Sequence, residues 1–355
     1  MNEHGRPHLL LVRAPMPFDP SAPASPESGL FGLDVAPEEA SVQVLGVPFD
    51  ATTSYRKGAA AGPAAILRAS HQVDLFDLVT GRPYEAGLWM PPEDPLVRRW
   101  NTEAREQAEA VIARGGGQPG DPDLERVNAI QEELNAWVRA RTEEALDAGE
   151  LAGLVGGDHS TPLGAIEAHA ARFPGMGILH VDAHADLRVA YEGFRYSHAS
   201  ILHNVLSRTD VPTVVQVGLR DLCEEEYDAI RGSERLHALF DHEWAAARAR
   251  GRGMQDLVRR RLAPLPDLVY VTFDVDGLDP SLCPHTGTPV PGGLSWHDAM
   301  LVLSELVASG RRIVGFDLNE VAPESEEPNA PDSWDAIVGA RLLYRLIGFS
   351  LASRT

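Results

Sequence analysis

Short apolar runs alternate with segments of helical periodicity along most of this chain, and that alternation admits few architectures. Residues 42–47, 151–155, 178–181, 214–217, 269–273 and 313–316 are brief and apolar, the last four rich in β-branched residues. Strands buried on both faces have this composition. Helical patterns fill the gaps at 64–69, 162–171, 197–206, 224–231, 243–261 and 296–308, with a terminal helix over 334–350. The clearest helix start is Asp121-Pro122, an N-cap followed by a first-turn proline. Leu124, Val127, Ile130, Leu134 and Val138 then recur at three and four, giving an amphipathic helix to about Ala148 with Gly149 as its stop. Alternation of this kind predicts βα units and an α/β fold with a mostly parallel, doubly covered sheet.

Residues 1–40 are rich in Pro, Ser and Ala and read as an N-terminal arm outside the core. Residues 41–355 read as one domain. Within it, 80–120 reads as an irregular, partly helical insert, with loops around a short helix at 102–113. A chain of 355 residues with 44% hydrophobic content can bury a large core. The formal net charge of −21 argues against nucleic acid or an anionic membrane as partner, since both need basic surface. It fits solubility and is compatible with a cationic substrate. Two cysteines, Cys223 and Cys283, make no disulfide framework and point to a reducing compartment, the cytoplasm. The apolar stretch at 9–12 is too short for a signal core, and no run approaches the ~18 residues of a membrane span.

Four polar clusters fall where predicted strands end: Gly156-Gly157-Asp158-His159-Ser160, Asp182-Ala183-His184-Ala185-Asp186, Asp274-Val275-Asp276 and Asp317-Leu318-Asn319-Glu320. Ligands of open α/β sheets bind at the carboxyl ends of strands. In extended backbone, residues i and i+2 share a side, so Asp182, His184 and Asp186 are expected to converge, as are Asp274 and Asp276. Four aspartates at one point repel strongly, and two divalent cations balance their charge. His159 and His184 supply one imidazole each. Oxygen-rich ligation with a little imidazole favours manganese over zinc. Asp158 points away from His159 and is expected to support the turn.

These residues resemble the ureohydrolases, the family of arginase and agmatinase. The resemblance runs from about Val42 to the C-terminal helix. It includes Gly46-Val47-Pro48-Phe49-Asp50, G-G-D-H-S, D-A-H-A-D, Ser197-His198-Ala199-Ser200, Asp274-Val275-Asp276-Gly277, Thr286-Gly287-Thr288-Pro289 and Gly315-Phe316-Asp317-Leu318-Asn319-Glu320. It implies a three-layer α/β/α domain and a site with two Mn²⁺, Ni²⁺ being the alternative. One metal falls to His159, Asp182, Asp186 and Asp274, and the other to His184, Asp182, Asp274 and Asp276. Glu320 aligns with the glutamate that orients the guanidinium, and His198 with the histidine that shuttles the proton. The implied assembly is a homo-oligomer, a trimer or hexamer.

The implied reaction is hydrolysis of a guanidino C–N bond to urea. Residues 188–197 lack the Ser-Gly-Asn type loop by which arginases read an α-amino acid, so the stretch is similar to agmatinases instead. Residues 52–77 and 333–346 resemble a subgroup that includes guanidine hydrolases, some nickel-dependent. Ala322 stands where agmatinases have Asn, and an acidic, Pro-rich loop follows at 323–331. The expectation is therefore an agmatinase-like enzyme, with guanidine hydrolase as the alternative. Hydrolysis of another guanidino acid, a single-metal deacetylase and an inactive binding protein are weaker alternatives, separable by substrate and by metal content.

Overall fold

The computed structural model describes residues 18–325 and 333–354. Eight strands form one sheet: β1 (Val42–Gly46), β2 (Leu88–Trp89), β3 (Leu151–Val155), β4 (Gly177–Val181), β5 (Val214–Val217), β6 (Leu236–Leu239), β7 (Leu268–Asp274) and β8 (Arg312–Asn319). Their order across the sheet is β2-β1-β3-β8-β7-β4-β5-β6, and every neighbouring pair is parallel. The helices are α1 (Gly62–Ser70), α2 (Pro95–Ala113), α3 (Pro122–Asp147), α4 (Leu163–Arg172), α5 (Ile201–Arg208), α6 (Glu224–Gly232), α7 (Asp241–Ala249), α8 (Met254–Leu262), α9 (Trp296–Ala308) and α10 (Trp334–Ala352).

Alternation along the strands sends side chains to separate cores on the two faces of the sheet. Val269, Val271 and Phe273 of β7 pack with residues of α8, α9 and α10. Tyr270, between them, packs instead with Ile166 of α4 and Ile201 of α5. Val44 and Leu45 of β1 divide in the same way, Leu45 joining the core of α2 and α3. The sheet is therefore a middle layer between helical layers, the three-layer α/β/α arrangement expected, and it buries on both faces as parallel sheets do.

Several elements depart from the sequence expectation, each for a physical reason. The two unanticipated strands, β2 and β6, are the two edges of the sheet. Edge strands face one neighbour and carry little apolar signal, and β6 (LHAL) is buried only at its ends. The expected short helix at 102–113 begins earlier, at Pro95, because Asp94 caps it by accepting from Leu96 N at 2.8 Å. The single helix expected over 243–261 is two, broken at Gly251, whose φ is 62°. The segment at 197–206 opens with a 3₁₀ turn, His198–Ser200, before α5. Leu30, Phe31 and Leu33 of the expected arm are buried in the main core. Phe31 packs on Tyr344 of α10, ring centroids 4.7 Å apart. The arm expectation thus fails for these residues. Residues 1–17 and most of the acidic loop at 323–331 lie outside the described residues.

The α3–α4 contact rests on a missing side chain. A Cβ at Gly164 of α4 would stand 2.1 Å from Asn135 O and 2.7 Å from Arg139 N of α3, both backbone atoms. Gly164→Ala gains up to ~1 kcal/mol in helix propensity. Overpacking against backbone costs ~1–3 kcal/mol. The variant is expected to lose a few degrees of Tm in calorimetry. An unchanged or higher Tm would show that the two helices part freely.

Candidate active site

Four strands at the centre of the sheet, β3, β8, β7 and β4, are consecutive neighbours, and all four polar clusters lie at or just beyond their carboxyl ends. After β3 the chain turns through Gly156-Gly157. A Cβ at Gly157 would stand 1.9 Å from Phe49 O, so the close approach requires glycine there. This turn brings His159 over the sheet. Its Nδ1 lies 3.0 Å from Asp182 Oδ2, 3.3 Å from Asp186 Oδ2 and 3.3 Å from Asp274 Oδ2. The His184 Nδ1 lies 3.0 Å from Asp276 Oδ2 and 3.5 Å from Asp182 Oδ1. Asp182 thus faces both imidazoles. The six residues expected from sequence come together.

They do not converge by strand alternation, however. β4 ends at Val181, and Asp186 reaches His159 from a left-handed backbone, φ 56°. Asp276 sits in a 3₁₀ turn, Val275–Gly277, and its N–H donates to Asp274 Oδ1 at 2.8 Å. Turns, held by carboxylate–amide bonds, complete the convergence. Ala183 N donates to Asp276 Oδ1 at 3.0 Å and His184 N to Asp182 Oδ1 at 2.6 Å.

The orientation of His159 is set from behind. Asp317 Oδ1 accepts from the Thr272 hydroxyl at 2.7 Å and from Asn319 Nδ2 at 2.5 Å. With its proton committed to Asp317, Thr272 Oγ1 accepts from His159 Nε2 at 2.8 Å. A neutral His159 therefore turns the Nδ1 lone pair toward three carboxylates, an arrangement that needs a proton or a cation between them. Burial lowers the basicity of His159, but Asp182, Asp186 and Asp274 outweigh it and raise its pKa well above the ordinary range. Burial, then Asp276 and Asp182, push the Asp274 carboxyl well up. Burial and Asp182 push Asp186 up to about 6. The cluster calls for compensating positive charge, and its donor set fits divalent cations. His159, Asp182 and Asp186 place ligand atoms within 4.8 Å of one another, as do Asp182, His184 and Asp276.

Sequence reasoning missed His180, which also belongs to the first group. Its Nε2 lies 2.9 Å from Asp182 Oδ2, and its ring stacks on His159 at 5.3 Å. Gln216 Nε2 donates to Ala185 O at 2.9 Å, so the same amide nitrogen faces His180 Nδ1 at 3.1 Å and leaves the ring proton on Nε2. The signal was present: His180 precedes Asp182 by two, as Thr272 precedes Asp274.

Glu320 closes the site from β8, with a left-handed backbone, φ 64°. Its Oε1 accepts from His159 N at 3.0 Å and lies 3.6 Å from His198 Nδ1. Its Oε2 is buried without a partner among the described residues. His198 Nε2 lies 3.4 Å from Ser54 Oγ. Burial pulls the His198 pKa down, yet Glu320, with Asp158 and Asp186, outweighs this and holds it above the ordinary value. Asp158, as expected, supports the turn: it accepts from Ser160 N at 3.0 Å and Ser160 Oγ at 2.5 Å. Burial, then Glu320, push its carboxyl up to about 7. His159, His184, Asp186, Asp274 and His198 line a cleft of about 200 Å³, with Arg188 and Tyr191 also on its wall.

Residues 40–348 match the arginase family. An N(1)-aminopropylagmatine ureohydrolase of Thermus thermophilus is 34% identical over 322 residues, spanning 90% of this chain and 94% of that protein. An agmatinase of Proteus mirabilis is 32% identical over 321 residues, spanning 88% and 90%. Among solved structures, the agmatine ureohydrolase of Thermoplasma volcanium superposes with a TM-score of 0.64 at 23% identity, covering 89% of this chain and 91% of that one. The proclavaminate amidino hydrolase of Streptomyces clavuligerus gives 0.66 at 22% identity, covering 96% and 98%. At these identities the superpositions bear on fold alone.

The expected ligand sets distinguish shared from unshared ligands; in the structure Asp182 faces both imidazoles and Asp274 faces His159. Asp274→Ala, which removes a carboxylate expected to serve both ions, should abolish binding of both. His159→Ala should spare the ion on the His184 side. Elemental analysis of dialysed protein checks this. Two tightly held ions per chain in Asp274→Ala would contradict the shared role.

Proposed function

Because the chain belongs to the arginase family and is a ureohydrolase, a hydrolase of guanidino C–N bonds, we propose that it is an agmatinase-like enzyme using two divalent metals. The observation that carries this is the placement of His159 Nδ1, held by Thr272 behind it within 3.3 Å of three buried carboxylates. One ion is assigned to His159, Asp182, Asp186 and Asp274, the other to His184, Asp182, Asp274 and Asp276. Bound divalent ions supply Lewis-acid polarisation and lower the pKa of water. The oxygen-rich set favours manganese.

The chain's own residues do the rest. A guanidinium is planar and cationic, and the buried, unpartnered Glu320 Oε2 is a ready acceptor for its N–H groups. The His159 amide fixes Glu320 through Oε1, so the carboxylate is oriented before substrate arrives. Water adds its oxygen to the guanidino carbon, the C–N bond breaks, and the leaving amine takes up a proton. His198, on the cleft wall and beside Glu320, is placed to deliver that proton. The names of the relatives favour a guanidino carbon carrying an alkylamine tail. The likeness of residues 52–77 and 333–346 to guanidine hydrolases, together with Ala322 where agmatinases have Asn, supports guanidine as the alternative substrate and nickel as the alternative metal. The unpaired Cys223 and Cys283 support a cytoplasmic setting. The assembly proposed is a trimer or hexamer.

Urea release from agmatine, guanidine, guanidinobutyrate and arginine, measured separately with Mn²⁺ and Ni²⁺, tests the reading. Agmatine with Mn²⁺ is expected to lead, and urea from none of the four would overturn it. His198→Ala should lower kcat by ~10²–10⁴ with metal content unchanged. Full activity would assign the proton to another group. Glu320→Gln removes the charge and turns one acceptor into a donor. Its kcat/KM should fall ~10²-fold or more, the loss of one partner of a charged pair costing roughly 2–5 kcal/mol. Parent rates on every substrate would rule out the orienting role.

A further inference from the structure

The loop between β7 and α9 forms a wall of the site beside the acid–imidazole cluster. Thr288 Oγ1 donates to Asp276 Oδ2 at 3.2 Å. A Cβ at Gly287 would stand 3.2 Å from Glu320 Oε2, 3.2 Å from Arg56 O and 3.4 Å from Thr53 Cγ2. Residue 287 thus lies directly over the free carboxylate oxygen, with no side chain to cover it. Thr286 is buried, and its Oγ1 has no partner among the described residues. The placement of residues 286–288 therefore sets how much room a planar cation has above Glu320.

This wall is held from outside by a residue far away in sequence. Asp335, fully buried in the first turn of α10, gives both carboxylate oxygens to His285. Oδ1 accepts from His285 N at 2.9 Å and Oδ2 lies 2.8 Å from His285 Nδ1. The carboxylate is acceptor-only, so Nδ1 carries the proton. A backbone and a ring bond to one residue fix both the position and the twist of the chain entering 286. The helix does not need Asp335 as its cap, since Ser333 Oγ accepts from Ala336 N at 3.2 Å. Trp334 Nε1 donates to Ser281 O at 3.0 Å and Arg56 Nη1 to Pro284 O at 3.0 Å, so the same loop is tied at two further points.

We propose that Asp335 is a positioning residue for the guanidinium subsite: through His285 it holds residues 286–288 against Glu320 and Asp276. The proposal rests on the ureohydrolase reading for its substrate. Asp335 touches neither substrate nor metal ligands in this account and acts through the loop.

The test compares Asp335→Ala, Asp335→Asn and His285→Ala with the parent in urea release, metal content and amide hydrogen exchange. Asp335→Ala is expected to raise KM at least ~10-fold, with kcat at saturation changed far less and metal content unchanged. Asp335→Asn keeps an acceptor for His285 N and should recover part of the KM. His285→Ala keeps the backbone bond and α10 intact, should raise KM by less, and serves if Asp335→Ala fails to fold. Amides 286–288 should exchange faster in each variant than in the parent. Parent KM in both alanine variants would overturn the proposal, as would a loss of kcat and metal with KM unmoved, the mark of a merely structural role. If the parent releases no urea, the substrate reading fails separately. The clamp is then judged by exchange alone, and unchanged exchange at 286–288 in the alanine variants overturns it.

Discussion

Burial of Asp182, Asp186, Asp274 and Asp276 at one point is the constraint on which the rest of this structure depends. Desolvated carboxylates this close cannot all stay ionised without positive charge between them. Asp274 shows the conflict, its carboxyl pushed up by burial and by Asp276 and Asp182. A parallel sheet gathers such groups because consecutive strands deliver their following loops to one edge. Here β3, β8, β7 and β4 lie side by side, so residues from 159 to 320 meet over the middle of the sheet.

The cluster is held in register by a layer of groups that make no contact with the cleft. Thr272, Asp317 and Asn319 form a buried chain behind His159 and decide which imidazole nitrogen faces the carboxylates. Gln216 does the same for His180, and His180 in turn stands against Asp182. Both relays are fully buried. In such relays the outer partner fixes tautomer and ring angle, and with them the direction of the lone pair. Glu320 joins the two halves of the site: one oxygen is tied to the His159 backbone, and the other is left for a ligand. Buried carboxylate oxygens are seldom left unpaired; Asp317 Oδ2, Glu150 Oε2 and Glu192 Oε2 are also without a partner among the described residues, but only Glu320 Oε2 belongs to a carboxylate set between the His159 amide and His198.

Central elements of the fold were legible because burial on both faces writes itself as β-branched runs. The bounds of α9 and β5 match the sequence reading, and α3 departs from it only at its last residue. The edge strands β2 and β6 were not legible, since pairing on one side demands little of side chains. The ligand candidates were legible as residue types in register. The manner of their convergence was not, because the left-handed backbone of Asp186 and the turn at Asp276 are decided by tertiary hydrogen bonds. His180 and Thr272 were readable in principle from their two-residue spacing. The His285–Asp335 pair was not, as nothing local links residues so far apart. Leu30 and Phe31 were misread because a Pro- and Ser-rich neighbourhood hides two residues that fill a core gap beside Tyr344.

The central claim is that this buried acid–imidazole cluster is a two-cation site. Calorimetric titration of metal-depleted protein with Mn²⁺ tests it most directly, read together with proton release into buffers of differing ionisation enthalpy. Two equivalents per chain are predicted, with protons released as the ions replace those held by the imidazoles and raised carboxyls. Saturation at one equivalent, or no binding, would contradict the account.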